Sequence, residues 1–181
     1  LSDVLRANAN YRHDLVELVS QCVSDAGYRV LSLYADAAPE RRRVLAERFL
    51  ELLMADDALL GTLADTRLGT WTEAARSHGA SPGEKDLMER NARRLLTTWG
   101  GEPQANGGRL HDYANREWNG LLEWYYAPRW RHYFSRGETD WFADFEQPFA
   151  EGVSVPYGTF TAEPEGDPVD AAIAVLRLIE P

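Results

Sequence analysis

Apolar residues recur along this chain at spacings of three and four, and rarely in alternation. That single pattern restricts it to helices. From Leu15 the positions Leu15, Leu18, Val19, Cys22, Ala26, Val30 and Leu33 fall on one helical face. Gly27 lies inside the run and lowers helix propensity only modestly. A second helix is expected to open at Pro39, a favoured first-turn residue, and to continue through Val44, Leu45, Phe49, Leu52, Leu53 and Leu60. Thr70 with Glu73, and Ser81 with Glu84, read as capping boxes, in which a hydroxyl and a carboxylate satisfy the first free N–H groups of a helix. The first begins a short helix through Trp71 and Ala75 that ends near Gly79. The second leads through Leu87, Met88, Leu95 and Leu96.

Residues 100–109 hold Gly100, Gly101, Pro103, Gly107 and Gly108 and read as a loop. A long helix is then expected to carry Leu110, Ala114, Trp118, Leu121, Leu122 and Tyr125 on one side. Pro128 should kink or break it, because proline removes a donor and clashes one turn back. A further helix is expected from Thr139 to about Glu151, with Trp141, Phe142, Phe145 and Phe149 inward. Residues 152–167 look irregular, and Asp167-Pro168 starts a last helix through Ala172, Val175, Leu176 and Ile179. The expectation is an all-α domain spanning 1–181, a bundle of about six or seven helices. A chain of 181 residues can bury roughly 70% of its unfolded surface in one core.

Composition narrows the function. A net charge of −10 argues against nucleic acid and anionic membranes as partners, and no run approaches the roughly 20 apolar residues of a membrane span. Lys85 is the one lysine among 19 basic residues, which reads as coding bias. Cys22 is alone, so neither a disulfide framework nor a cysteine metal site is expected. That leaves an exported and a cytoplasmic bacterial protein equally compatible. The chain begins at Leu1, which leads to the expectation of an excised domain or a processed product.

Candidate chemistry is sparse. His13-Asp14 and His111-Asp112 repeat a dipeptide used by metal-dependent phosphohydrolases, but only His78 and His132 remain to complete a ligand set, at no recognisable spacing. Surface or capping histidines are the better reading, and no metal or cofactor is expected. A glycosidase needs two carboxylates about 5–5.5 Å apart for retention. Of the 29 acidic residues, Glu40, Glu47, Asp56 and Asp57 lie on expected solvent faces, while Glu117 and Glu123 lie in the aromatic helix. For these two, solvated charge or pairing with an arginine such as Arg116 is the simpler reading.

The segment from Trp99 to Phe134 is dense in large, polar-tipped aromatics: Trp99, Tyr113, Trp118, Trp124, Tyr125, Tyr126, Trp130 and Tyr133. Trp99 ends one expected helix, and Leu110 and Tyr113 open the next, so the three stand at a rim across a loop. They either staple two helices together or offer a flat apolar face and a hydroxyl suited to a sugar ring.

Three blocks of this segment form a pattern: Trp99-Gly100, Asp112-Tyr113-Ala114-Asn115, and Tyr125-Tyr126-Ala127-Pro128-Arg129-Trp130. Together they resemble the C-terminal helical domain of the α-N-acetylglucosaminidases, glycoside hydrolase family 89. Tyr11–Leu18, Leu68-Gly69-Thr70-Trp71 and Glu89-Arg90-Asn91-Ala92-Arg93 extend the resemblance over roughly residues 10–180. The loop GGEPQANGGR has no residue-by-residue counterpart.

The resemblance implies a retaining, metal-independent, exo-acting enzyme that cleaves terminal α-linked N-acetylglucosamine with two glutamates on a preceding barrel. This chain would carry no catalytic residue and be inert alone. Its partners would be the catalytic barrel of the same polypeptide and the α-N-acetylglucosaminide glycan. Trp99, Leu110 and Tyr113 would line the sugar cleft, while Trp118, Trp124 and Trp130 stay mainly structural. The alternatives are a free-standing helical module that binds a protein through its aromatic face and, less favoured, a metal-dependent phosphohydrolase.

Overall fold

A computed structural model describes residues 3–101, 112–136 and 142–180. Among these residues the chain forms eight α-helices and no strand: α1 (Asp3–Ala7), α2 (Ala9–Asp36), α3 (Pro39–Leu60), α4 (Leu68–Arg76), α5 (Pro82–Leu96), α6 (Ala127–Arg136), α7 (Gln147–Ala150) and α8 (Pro168–Ile179). The expected all-α class is what forms. Ser81 makes its capping box with Glu84, and Asp167 accepts the N–H groups of Val169 and Asp170, so α5 and α8 start where anticipated.

Two packed clusters share one joint. Val16, Val19 and Val23 of α2 meet Leu52, Leu59 and Leu60 of α3 and Ala172 and Val175 of α8. Leu68, Leu96, Leu121, Tyr125, Phe149 and Val155 form the second cluster. Leu121 and Leu122 are adjacent in sequence but point into different clusters, and Tyr126 touches both. The α2 stripe is rotated from its expected face. Val16, Val19, Val23 and Gly27 are buried, while Leu18 is 65% and Leu33 51% exposed. A spacing of three and four tolerates this one-residue change of phase, and Gly27 settles it by admitting the Phe49 ring, 3.4 Å from where a Cβ would stand. Val44 of α3 likewise faces solvent.

Several other expectations are corrected. Helix α4 opens at Leu68 without a side-chain cap. The Thr70 hydroxyl instead donates to the Ala64 carbonyl, and the Glu73 carboxylate accepts from Ala162 N–H. Gly69, one residue into α4, lies so close to Thr161 that a Cβ would stand 1.8 Å from its carbonyl oxygen. Residues 112–120 are not helical. Their backbone groups are claimed by tertiary bonds: Asp112 N–H to Thr97 O, Asn119 N–H to Thr66 O, and Leu68 N–H to Asn119 O. Pro128 does not break the helix that follows. A π-turn, Leu122–Tyr126, lets Ala127 N–H reach Leu122 O, and this wider turn makes room for the proline ring.

Asp56 and Asp57 are buried rather than solvated. The Asp57 carboxylate accepts from Gly120 N–H at 2.7 Å, Glu123 N–H at 3.0 Å and the Asn119 amide at 2.7 Å, and so caps the helical segment that carries Tyr125. The Asp56 carboxyl accepts from the Ser20 hydroxyl at 3.1 Å, and burial pushes its pKa up to about 7. The expected helix ahead of Glu151 is present from residue 142 to Ala150 with Phe149 fully buried. Trp141 lies outside the described residues.

A buried polar assembly centres on Arg93. Its guanidinium donates to Glu89 at 2.6 Å and 3.1 Å and to the carbonyls of Phe149, Val155 and Pro156, and both partners of the ion pair are fully buried. Glu89 also accepts from Arg76 and from Gly158 N–H, each at 2.8 Å. Losing Arg93 leaves three buried carbonyls without this donor and takes one of two guanidinium partners from the buried Glu89. Arg93→Met is therefore expected to lower stability by about 3–5 kcal/mol, and Glu89→Met in the same chain to recover little of it, because Arg76 and Gly158 N–H then lose their shared acceptor. Denaturant melts of the two variants check this.

Asp56 gives a second prediction. Its folded pKa lies above the unfolded value, so stability falls as pH rises from about 4 through about 7. At pH 8, Asp56→Asn is expected to be more stable than the parent by on the order of 2 kcal/mol, with the gap closing toward pH 4. Thermal melts across that range check it. An unchanged pH profile would place the titration elsewhere.

Candidate functional site

Helix α5 ends in a way that throws Trp99 outward. Thr97 leaves the helical conformation, Trp99 N–H reaches back to Arg94 O at 2.6 Å, and Trp99 itself has φ 59°. That left-handed position is one glycine usually takes, and a bulky residue held there costs on the order of 1–3 kcal/mol. Asp112 (φ 54°) and Asn115 (φ 45°) share the conformation, so the described non-glycine residues with positive φ all lie on this rim.

The Asp112–Thr97 backbone bond brings Tyr113 beside Trp99. The two rings lie 5.1 Å apart at 57° and form an open corner, with Trp99 43% and Tyr113 68% exposed. Leu110, the third residue expected here, lies outside the described residues, as do His111 and most of the glycine-rich loop.

What holds this corner is buried. The Arg129 guanidinium donates to Asp112 at 2.6 Å, to Glu146 at 2.8 Å and to the Tyr125 hydroxyl at 3.2 Å, and it stacks over the Tyr125 and Tyr126 rings at 4.7 Å and 5.1 Å. Burial pushes the Tyr125 phenol far above its ordinary pKa, so it stays neutral. One cation thus joins the aspartate next to Tyr113, the helix after the π-turn and the segment ahead of α7. Sequence reasoning placed Asp112 and Arg129 in separate blocks and missed that they are partners. Glu146 had no sequence signal beyond being one more acidic residue.

The other aromatics divide. Trp130 packs edge-on against Phe49 at 4.8 Å and stacks on Phe134 at 5.5 Å, and Trp71 donates its indole N–H to Ala92 O beside Trp118. Trp124 was expected to be structural, but it is 45% exposed and lines a shallow polar recess with Glu123, Arg67 and Thr161. Glu117 receives the Ser24 hydroxyl at 3.0 Å at the edge of a separate cavity. His13 contacts Asp65 at 2.9 Å, and among the described residues no group of three or more His, Cys, Asp and Glu side chains could hold a metal ion. No helix among them is long and apolar enough to cross a membrane.

The fold and the site define a helical domain that raises an exposed aromatic corner on a buried arginine network. Its residues 1–176 match the family model described as alpha-N-acetylglucosaminidase (NAGLU) C-terminal domain, and the chain belongs to that family. It is 36% identical over 138 residues to the human alpha-N-acetylglucosaminidase, covering 70% of this chain and 17% of the human protein. A family 89 glycoside hydrolase from Clostridium perfringens, in complex with 2-acetamido-1,2-dideoxynojirmycin, superposes with a TM-score of 0.82 at 26% identity, over 96% of this chain and 22% of that one. A second structure of that enzyme, in complex with its substrate GlcNAc-alpha-1,4-galactose, gives 0.79 at 28% identity over 92% and 21%. The chain therefore spans about a fifth of the length of these relatives, or less.

The strained backbone at Trp99 separates packing from ligand contact. Trp99→Gly removes a half-exposed ring and relaxes the left-handed φ, two effects of opposite sign. The melting temperature is expected to stay within about 3 °C of the parent. A larger fall would make the indole a structural staple.

Proposed function

We propose that this chain is the C-terminal helical domain of an exo-acting glycosidase that removes terminal α-linked N-acetylglucosamine with retention of configuration. In this reading residues 1–181 form one domain that packs on a catalytic barrel of the same polypeptide and closes one side of its substrate pocket. The two glutamates that act as acid and nucleophile belong to that barrel. Trp99, Leu110 and Tyr113 line the wall supplied by this domain. The substrate is an α-N-acetylglucosaminide glycan, and the domain alone is inert.

The observation that carries this reading is the Trp99–Tyr113 corner. Two solvent-accessible rings at 57° present an apolar face, and one of them adds a hydroxyl. A pyranose ring, with C–H groups on its faces and hydroxyls on its edge, matches that pairing. The corner is also preorganised. Arg129 fixes Asp112, whose backbone N–H is held by Thr97, so the backbone that carries Tyr113 is anchored on the side next to Trp99. Family membership and the substrate complex of the clostridial relative support the same class of ligand.

In the full-length enzyme, Trp99→Ala and Tyr113→Ala are each expected to lower kcat/KM on a chromogenic α-N-acetylglucosaminide by about tenfold or more, equivalent to roughly 1.4 kcal/mol of transition-state binding. The isolated 181-residue chain is expected to release no chromophore. Near-parental kinetics for both variants would remove these residues from the cleft.

A further inference from the structure

Between α2, α3 and the Leu122–Tyr126 turn lies a cavity of about 270 Å³. Leu31, Leu53, Phe49 and Trp130 make most of its wall apolar, while Asp56 and Glu117 give it two carboxyl groups. Its wall reaches the rim at Asn115 but includes neither Trp99 nor Tyr113. Asp56 is only 3% exposed; its Oδ2 accepts the Ser20 hydroxyl and its buried Oδ1 has no hydrogen-bond partner. Glu117 is exposed, takes the Ser24 hydroxyl and marks the open side. Among the described residues no arginine, lysine or histidine forms an ion pair with either carboxylate.

An orphaned buried oxygen is costly, so a site that keeps one asks for a donor. Water serves poorly here. The volume exceeds that of a single water, and an apolar wall offers further waters too few partners. A hard metal ion favours several carboxylates, and among the described residues no group of three or more His, Cys, Asp and Glu side chains could hold one. A group that donates N–H bonds, carries positive charge and has a compact apolar body meets every requirement. Its charge complements two carboxyls that have no ion-pair partner among the described residues, and the chain's net charge of −10 attracts a cation. We propose that this cavity is a binding site for a small organic ammonium ion, its N–H groups directed at Asp56 and Glu117 and its apolar body against Leu53, Phe49 and Trp130.

Protonation sets a signature. Burial, with help from Glu117 and Asp57, pushes the Asp56 pKa up to about 7, against the Ser20 hydroxyl that favours the charged form. The other groups facing it are Ser24 and Tyr28 of α2 and the Tyr126 phenol, which burial also pushes up. The empty site therefore holds a neutral acid below neutrality. A bound cation favours the carboxylate, so affinity rises as pH passes through about 7.

The test titrates the 181-residue chain with 2-phenylethylammonium chloride and, separately, with 2-phenylethanol, which keeps the shape and loses the charge. Calorimetry gives the affinities, and indole N–H resonances report the location. At pH 8 the ammonium is expected to saturate one site at least tenfold more tightly than the alcohol, shifting Trp130 and leaving Trp99 in place. At pH 5.5 the preference is expected to fall toward parity. Asp56→Asn, which keeps the shape of the side chain, is expected to abolish it, and Glu117→Gln, at an exposed position, to weaken it by about threefold. No saturation by about 10 mM, equal affinity for the two probes, or an unchanged preference in Asp56→Asn would overturn the site.

Discussion

The fold rests on a guanidinium that never meets water. Arg93 is fully buried, so its desolvation must be offset by partners that satisfy it completely. It finds them in Glu89 one turn back and in three carbonyls from the far end of the chain. The rings of Phe149, Tyr157 and Phe160 surround it at 5.0–5.1 Å. Residues 152–160 contain no regular structure, and these bonds are what give them a fixed course. Glu89 completes the arrangement by accepting from Arg76 and Gly158, so α4, α5 and the irregular segment share one charge cluster. An apolar core alone would pack these elements without fixing their register.

Arg129 repeats the device one layer away. It joins three segments whose sequence separation gives no reason to meet, and two of them border residues outside regular helices. Asp57 works in the opposite sense, as a buried acceptor for backbone donors. Burial pushes its pKa up to about 6, and the N–H groups of Gly120 and Glu123 hold the charged form against that cost. Each of the two clusters therefore has a polar bolt at its edge, and the joint at Leu121 and Leu122 lies between them.

Helical periodicity made the elements legible and left their partners hidden. Pro39, Ser81 and Asp167 mark helix starts because capping chemistry is local. Thr70 carries the same signature and fails, because Leu68 N–H already has a partner in Asn119 and the helix starts three residues early, with Arg67 at the cap position. The stretch from Ala114 to Trp118 keeps helical spacing yet stays irregular, since its neighbours bond across the fold instead. Asp56 and Asp57 look like any exposed pair on α3, and only the arrival of Ser20, Asn119 and Gly120 explains their burial. The aromatic corner was legible as residue types, through its motif. Its geometry was not, because the left-handed turns at Trp99 and Asp112 are set by Thr97 and Arg94 rather than by local preference.

Strain and support are concentrated on the same few residues. Trp99, Asp112 and Asn115 occupy a backbone region that side chains avoid, and an unsupported loop would relax out of it. Relaxation is blocked because Asp112 is held at both its backbone and its carboxylate, and Trp99 by its bond to Arg94. The backbone beneath the ring pair is therefore held in place. A surface that exists only to cover a core gains nothing from such a conformation, since burial is indifferent to a ring's precise direction. A surface that must meet a flat, hydroxyl-edged ring at a fixed angle gains affinity from it, because the ordering cost is already met in folding.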